Sequence, residues 1–190
     1  MLFRSDHRLL AHPELGQQAT LRGFTLDKPI IAAVNGFCLA GGCELMQATD
    51  IRIASEKATF ALTEVKWSLL PYAGSMVRLP RQVSYCKAME IMLVGETFDA
   101  QEAYRIGLVN YVLPAGQVMA KAEELARKIT ENGPLAVRKI KATVLSALGL
   151  PLDEGFKLEN AAARDILATD DAKEGPRAFI EKRKPRYTGK

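Results

Sequence analysis

Pro29-Ile30-Ile31-Ala32-Ala33-Val34 is a continuous run of small and branched apolar residues that ends at Asn35-Gly36. Continuity rather than alternation predicts a parallel strand buried on both faces. Phe37-Cys38-Leu39-Ala40 leads to a second break at Gly41-Gly42, and the helical pattern Cys43-Glu44-Leu45-Met46-Gln47-Ala48-Thr49 follows directly. Asp50-Ile51-Arg52-Ile53-Ala54 predicts another strand, Ser55-Glu56-Lys57-Ala58 a polar turn, and Thr59-Phe60-Ala61-Leu62 a short extended piece. From Gly74 the pattern turns helical, with Met76, Val77 and Leu79 ahead of Pro80. A helix from about Ser84 to Leu93 places Ala88, Ile91 and Met92 on one face and ends near Gly95. Asp99-Ala100-Gln101-Glu102 is a capping box opening a helix that stops at Gly107, and Leu108-Val109-Asn110-Tyr111-Val112 predicts a strand. Strands alternating with helices up to residue 114 define an α/β core.

Beyond Pro114 the period is helical throughout. Val118, Ala122, Leu125, Ala126 and Ile129 form one face of a helix ending near Asn132-Gly133. Leu135, Val137, Ile140, Val144 and Ala147 form the expected inward face of a second, which follows Pro134. Phe156, Leu158, Ala161, Ala162 and Ile166 do the same for a third, which follows Pro151. A last helix begins near Thr169-Asp170-Asp171 and carries Ala178, Phe179 and Ile180. The expected organisation is therefore an α/β core over residues 1–114 and a helical region over residues 115–190. Residues 1–27 carry the weakest pattern: Pro13 suits the start of a short helix with Leu15 and Leu21, and Gly16 weakens it.

At 190 residues the chain is long enough for a real core, and 48% apolar with 25% charged residues excludes a disordered or fibrous class. No apolar run approaches a membrane span, and Met1-Leu2-Phe3-Arg4-Ser5-Asp6-His7 lacks the apolar centre of a signal peptide, so a cytoplasmic protein is the expectation. Cys38, Cys43 and Cys86 are an odd count without a CxxC pair, which argues for reduced, packed thiols over disulfides or structural zinc. His7 and His12 both fall in the N-terminal segment. Neither a Ser/His/Asp triad nor a histidine metal site has its parts near the glycine turn, so no metal is expected. The net charge of +4 is mild, and Lys182, Arg183, Lys184, Arg186 and Lys190 crowd the C-terminal end. A solvated tail accounts for them more simply than phosphate binding does, and nucleic-acid binding lacks the interleaved aromatics or recognition helix it needs.

Chemistry is thereby pushed onto backbone and carboxylates. A glycine pair opening a helix leaves amide N–H groups unpaired and admits a ligand close to the main chain, which suits a negatively charged oxygen. Glu44 sits in the first turn of that helix, where the dipole favours a carboxylate; a merely favourable first-turn residue is the plainer reading. Glu64 follows after a helix, a strand and a return, a path that permits the two to meet without requiring it.

Lys28-Pro29-Ile30-Ile31-Ala32-Ala33-Val34-Asn35-Gly36, Ala40-Gly41-Gly42-Cys43-Glu44-Leu45, Phe60 to Glu64 and Leu70-Pro71-Tyr72-Ala73-Gly74 together resemble the enoyl-CoA hydratase/isomerase, or crotonase, superfamily. The likeness continues through Gly95-Glu96-Thr97-Phe98-Asp99-Ala100-Gln101-Glu102-Ala103 and Gly107 to Pro114, and closes at Phe179-Ile180-Glu181-Lys182-Arg183. It implies a crotonase-like ββα spiral core, here partial, followed by helices that in relatives cover the active site and pack subunits into homotrimers and homohexamers. It implies a 2-enoyl-CoA thioester as substrate, with coenzyme A part of the substrate and no separate cofactor. Glu44 and Glu64 match the two glutamates of the hydratase subgroup, and Gly41, with Gly42 beside it, matches the amide that receives the thioester oxygen.

Relatives also carry an upstream strand-rich stretch that supplies a second oxyanion donor and part of the coenzyme A cleft; it is not recognisable here, and an incomplete chain is one expectation. Where typical members have glycines this chain has Ser68 and Tyr72, which makes the pocket wall bulkier. Trp67 and Tyr72 are candidates for an acyl pocket, although such aromatics more often fill cores. Hydration is the expected reaction, with double-bond isomerisation or a specialised acyl-CoA hydratase as its neighbours and an inactive scaffold as the reading from another class.

Overall fold

The structure, a computed structural model, describes His12 and residues 14–190. The remainder, Met1 to Ala11 and Pro13, lies outside the description, so the expectations placed on His7 and Pro13 do too. The short helix near the N-terminus, α1, spans Glu14–Gln18.

The first two ββα turns of the core each contribute one strand to each of two sheets. In the first, β1 (Ile31–Val34), β3 (Ile51–Ser55) and β6 (Tyr111–Leu113) run in the order β1-β3-β6, with Ile31 opposite Ile51 and Ile53 opposite Tyr111, all parallel. In the second, β2 (Phe37–Leu39) lies parallel to β4 (Thr59–Ala61), and the short β5 (Phe98–Asp99) pairs antiparallel with β4. The central strand β3 is buried from Arg52 to Ser55. β1, at one edge of the described sheet, is only half-buried, short of the expectation of burial on both faces. The strand β2 went unanticipated because three residues are too few to show a period.

Helix α2 (Gly41–Met46) follows β2, and a 3₁₀ turn at Glu64–Trp67 follows β4. Helix α3 (Ser75–Arg78) passes into a 3₁₀ turn at Leu79–Arg81, which accommodates Pro80 within its first turn. Helix α4 (Tyr85–Val94) buries Ala88, Ile91 and Met92 as expected and ends on a left-handed Gly95. Helix α5 (Ala100–Arg105) is capped by the Asp99 side chain, which accepts from the Glu102 N–H at 2.8 Å. The strand expected at Leu108 begins instead at Tyr111, because the Leu108 and Val109 amides are spent on the Ala103 carbonyl, closing α5. The core gathers Cys38, Met46, Ala54, Phe60, Leu62, Leu79, Ala88 and Leu108, with the Phe60 and Phe98 rings stacked at 5.7 Å.

The chain divides into two compact units, one holding the residues up to Thr25 with Ile30–Ala122, the other Leu26–Pro29 with Glu123–Lys190. Helix α6 (Val118–Thr130) crosses that boundary in sequence. The second unit contains α7 (Pro134–Ala147), α8 (Leu152–Leu167), which packs on α7, and α9 (Asp170–Ile180). Its expected inward faces are corrected by the structure. Ile140, Val144, Phe156 and Leu158 are exposed, and Phe179 and Ile180 almost fully so; Ala178 and Asp171 are the buried residues of α9. Periodicity identifies an apolar stripe but not what covers it.

Two further expectations change. Cys38 and Cys43 are buried free thiols, but Cys86, at the start of α4, is exposed. The C-terminal tail is tied down rather than merely solvated. Asp171 accepts from the amides of Thr188 and Gly189 at 2.7 and 2.9 Å, and Arg183 pairs with Glu174 and Glu181. Arg183, together with the Arg186 amide, holds the Glu174 pKa down to about 2.

Candidate active site

The break between β2 and α2 is built on strained backbone. Ala40 has φ 49° and ψ −125°, a region glycine tolerates and alanine rarely enters. It is held there from both sides: its N–H donates to the Ala61 carbonyl of β4 at 2.9 Å, and its carbonyl accepts from the Glu44 N–H at 3.0 Å. This places Gly41 and Gly42 at the opening of α2, where first-turn amides have no acceptor within the helix. A Cβ added at either glycine would meet no atom within 4 Å. The chain's own packing therefore does not require glycine, although glycine in a helix costs up to about 1 kcal/mol relative to alanine. A ligand approaching the main chain does account for it.

Glu44, one turn in, is almost wholly buried at 3% exposed, and its Oε1 accepts from the Ser75 N–H of α3 at 3.2 Å. Arg78 ties this corner together. Its guanidinium donates to the carbonyls of Thr20 at 3.0 Å, Leu21 at 3.1 Å and Glu44 at 3.3 Å, linking the end of the N-terminal segment to α2. At the other end of α2, the buried Arg52 donates to the carbonyls of Gln47 and Thr49, each at 3.0 Å, and of Leu108 at 3.0 Å. A cation at a helix C-terminus meets both its dipole and its unpaired carbonyls.

Glu64 opens the 3₁₀ turn after β4. Burial raises its pKa, its own backbone hydrogen bond opposes that shift, and the charge of Glu44 adds to it. The two carboxylates thus lie within each other's field, which the spacing of the sequence allowed but did not demand. The Glu64 Oε2 atom is buried and has no hydrogen-bond partner. An oxygen of this kind is costly to the fold and points to a partner from outside the chain. The turn is backed by Gly95, where a Cβ would come within 3.0 Å of Val65 and 3.3 Å of the Leu62 carbonyl. Ser68, which ends the turn, has φ 55° and ψ 32°, a left-handed conformation that glycine adopts more readily.

Cys43 also lies within the field of Glu64. The neighbouring Cys38 sulfur and burial push its thiol pKa well up, so it remains a neutral thiol and not a nucleophile. Trp67 and Tyr72 do not fill the core: they are 75% and 64% exposed. No grouping of three or more His, Cys, Asp or Glu suited to a metal occurs among the described residues. Ser75, Gln47 and Ala40 are parts of the site that sequence reasoning missed. The one available signal was Gln47, a polar residue on the same face of α2 as Cys43.

A strained turn offering amides, with two carboxylates in each other's field beside it, is the arrangement of acid–base chemistry on a substrate carrying a carbonyl oxygen. The enoyl-CoA hydratase/isomerase family model matches residues 12–190. The chain belongs to that family, and its α/β core followed by helices is the crotonase fold. It is 48% identical over 169 residues to the enoyl-CoA hydratase EchA19 of Mycobacterium tuberculosis, covering 89% of this chain and 64% of that protein. It is 39% identical over 171 residues to the carnitinyl-CoA dehydratase of Proteus mirabilis, covering 88% of this chain and 66% of that one. The chain thus spans just under two thirds of the length of these relatives. Among solved structures, an enoyl-CoA hydratase/isomerase from Mycobacterium abscessus superposes with a TM-score of 0.91 at 49% identity, over 94% of this chain and 74% of that one. An enoyl-CoA hydratase from Bacillus anthracis does so with a TM-score of 0.93 at 37% identity, over 99% and 73%.

Proposed function

We propose that the chain carries the catalytic turn of an enoyl-CoA hydratase, which adds water across the 2,3 double bond of a 2-enoyl-CoA thioester. The thioester oxygen accepts the Gly41 N–H, with Gly42 beside it, and this draws electrons away from the third acyl carbon. Loss of one such donor costs about 3 kcal/mol of barrier. Glu44 holds and deprotonates the attacking water. The water oxygen bonds to the third carbon as the π pair moves onto the second carbon and the thioester oxygen, and Glu64, protonated, delivers a proton to the second carbon. The cycle leaves Glu44 protonated and Glu64 ionised, and proton exchange with solvent resets both.

The observation that carries this reading is the buried, partnerless Glu64 Oε2 within the field of Glu44. A hydroxyl or water hydrogen supplied with substrate would satisfy it, whereas an isomerase needs chiefly one base. The exposed apolar faces of α7, α8 and α9 support a homotrimer or homohexamer. No described helix is long and apolar enough to cross a membrane, which accords with a cytoplasmic enzyme. No cofactor beyond the substrate's own coenzyme A enters this scheme.

Loss of the enoyl thioester absorbance on adding the protein to crotonyl-CoA tests the proposal. Hydration by the unaltered protein and not by Glu64→Gln is the expected result. No hydration by well-folded protein would overturn it, and conversion of a 3-enoyl thioester in preference would favour isomerisation. The specialised variant has its own support in Ser68 and Tyr72 and in the carnitinyl-CoA dehydratase likeness, and comparing crotonyl with branched enoyl thioesters separates it.

A further inference from the structure

Gln47, the residue that closes α2, is a long polar side chain only 2% exposed. Its Nε2 donates to the Ser75 hydroxyl at 2.9 Å and weakly to the Cys43 sulfur at 3.6 Å, while its Oε1 is buried without a partner. Ser75 is itself fully buried, and its amide is the donor to Glu44 Oε1. The Gln47 backbone carbonyl is clamped from two directions, by Arg52 Nη2 at 3.0 Å and Gln82 Nε2 at 2.9 Å. The base of the side chain is thus fixed and its tip reaches one hydroxyl.

An amide buried with an unmet oxygen works against the fold, and an apolar side chain of the same length would serve packing as well or better. Gln47 is better accounted for by what its donor holds. Helix α3 has no side-chain cap of its own and Gly74 just before it sits at φ 136°; the Gly74 carbonyl is held by the Val77 and Arg78 amides, and the Gln47 amide ties the Ser75 hydroxyl to the end of α2.

We infer that Gln47 and Ser75 form a positioning pair: the Gln47 amide orients the start of α3 so that the Ser75 N–H holds the Glu44 carboxylate at the angle hydration needs. The inference rests on the hydratase reading for its kinetic consequence but not for its geometry. Neither residue touches the reacting atoms, and both act through Glu44. Small displacements of a catalytic group cost rate far more than they cost binding, because the geometry of attack is what changes.

The test uses the full chain with Gln47→Met, Ser75→Ala, which keeps the backbone amide, and the double variant. In hydration of crotonyl-CoA each single variant should lose about tenfold or more in kcat with KM within about twofold, and melting temperatures should not fall for Gln47→Met. The double variant should be no slower than the worse single, since partners in one interaction do not add. Losses that multiply, a kcat within about twofold of the parent, or a change confined to KM would each overturn the inference. A second readout needs no turnover. Hydrogen exchange at the Ser75 amide should quicken about tenfold or more in Gln47→Met while the β3 amides are unchanged, and unchanged exchange at Ser75 overturns the pair. Absence of hydration by the parent protein defeats the hydratase reading alone, because exchange still decides the pair.

Discussion

The two turns that present carboxylates are built on opposite terms. At Glu44 the chain supplies a partner of its own: the side chain is buried, the Ser75 amide meets one oxygen, Arg78 bonds the Glu44 carbonyl and Arg52 the carbonyl of Gln47 just past the helix. At Glu64 the side chain is half-buried at the start of a short 3₁₀ turn, with one oxygen occluded and unmet. Each turn also holds one residue in a backbone region costly to it, Ala40 in the first and Ser68 in the second. In the first the strained residue leads into the glycines that open α2, while in the second it ends the turn. A group held by the protein can define geometry, and a group left short of a partner is poised for one that arrives with substrate.

Breaking this asymmetry at its open end should have the largest effect. Glu64→Gln should lower the hydration rate by about a hundredfold or more, with a melting temperature equal to or above the parent's, because the amide cannot ionise in the desolvated site and keeps an oxygen that can accept the same backbone hydrogen bond. A kinetic loss accompanied by comparable destabilisation would mean that Glu64 is structural. Glu44→Ala should abolish hydration as well but also destabilise by about 1–3 kcal/mol in denaturant unfolding, since it strands the Ser75 N–H. Equal stability costs at the two positions would dissolve the comparison.

Gly41→Ala sharpens it from the backbone side. The new methyl meets nothing in the chain, so stability should rise by about 0.4–1 kcal/mol while hydration falls; a variant that gains stability and keeps full activity would remove the argument for close approach of substrate. Ser68→Gly, which relieves a left-handed residue, should add up to about 1 kcal/mol, read as a shift of the urea midpoint.

The pH dependence has a definite sign. Glu64 has a raised pKa in the folded state, from burial first, so between its unfolded and folded values the native protein binds more protons. Its contribution to stability is therefore present at low pH and declines as pH rises through that window. The stability of the parent relative to Glu64→Gln should fall across the same range, and a pH-independent difference would show that Glu64 is not held in a desolvated site.

Much of the core could be read from local pattern. The run ending at Val34 is a strand, the Asp99 cap opens its helix, and α4 buries the face its spacing assigned. Misreadings fell where another part of the chain intervened. Leu108 and Val109 look like strand but give their amides to a helix end, and the stripes of α7 and α8 face outward from the chain that encodes them. The acidic pair was visible as two residues, and Gln47 was visible only as a polar side chain out of place.

Sequence alone determined the order of elements, the glycine break that opens α2 and the presence of two glutamates in a stretch that carries no histidine after residue 12, because these follow from residue type and short-range period. The tertiary structure decided that the glutamates share a field, that the Ser75 amide at the start of α3 holds one of them, and that the other keeps an unmet oxygen. Those facts depend on burial and on contacts between residues distant in the chain, and no local propensity encodes either.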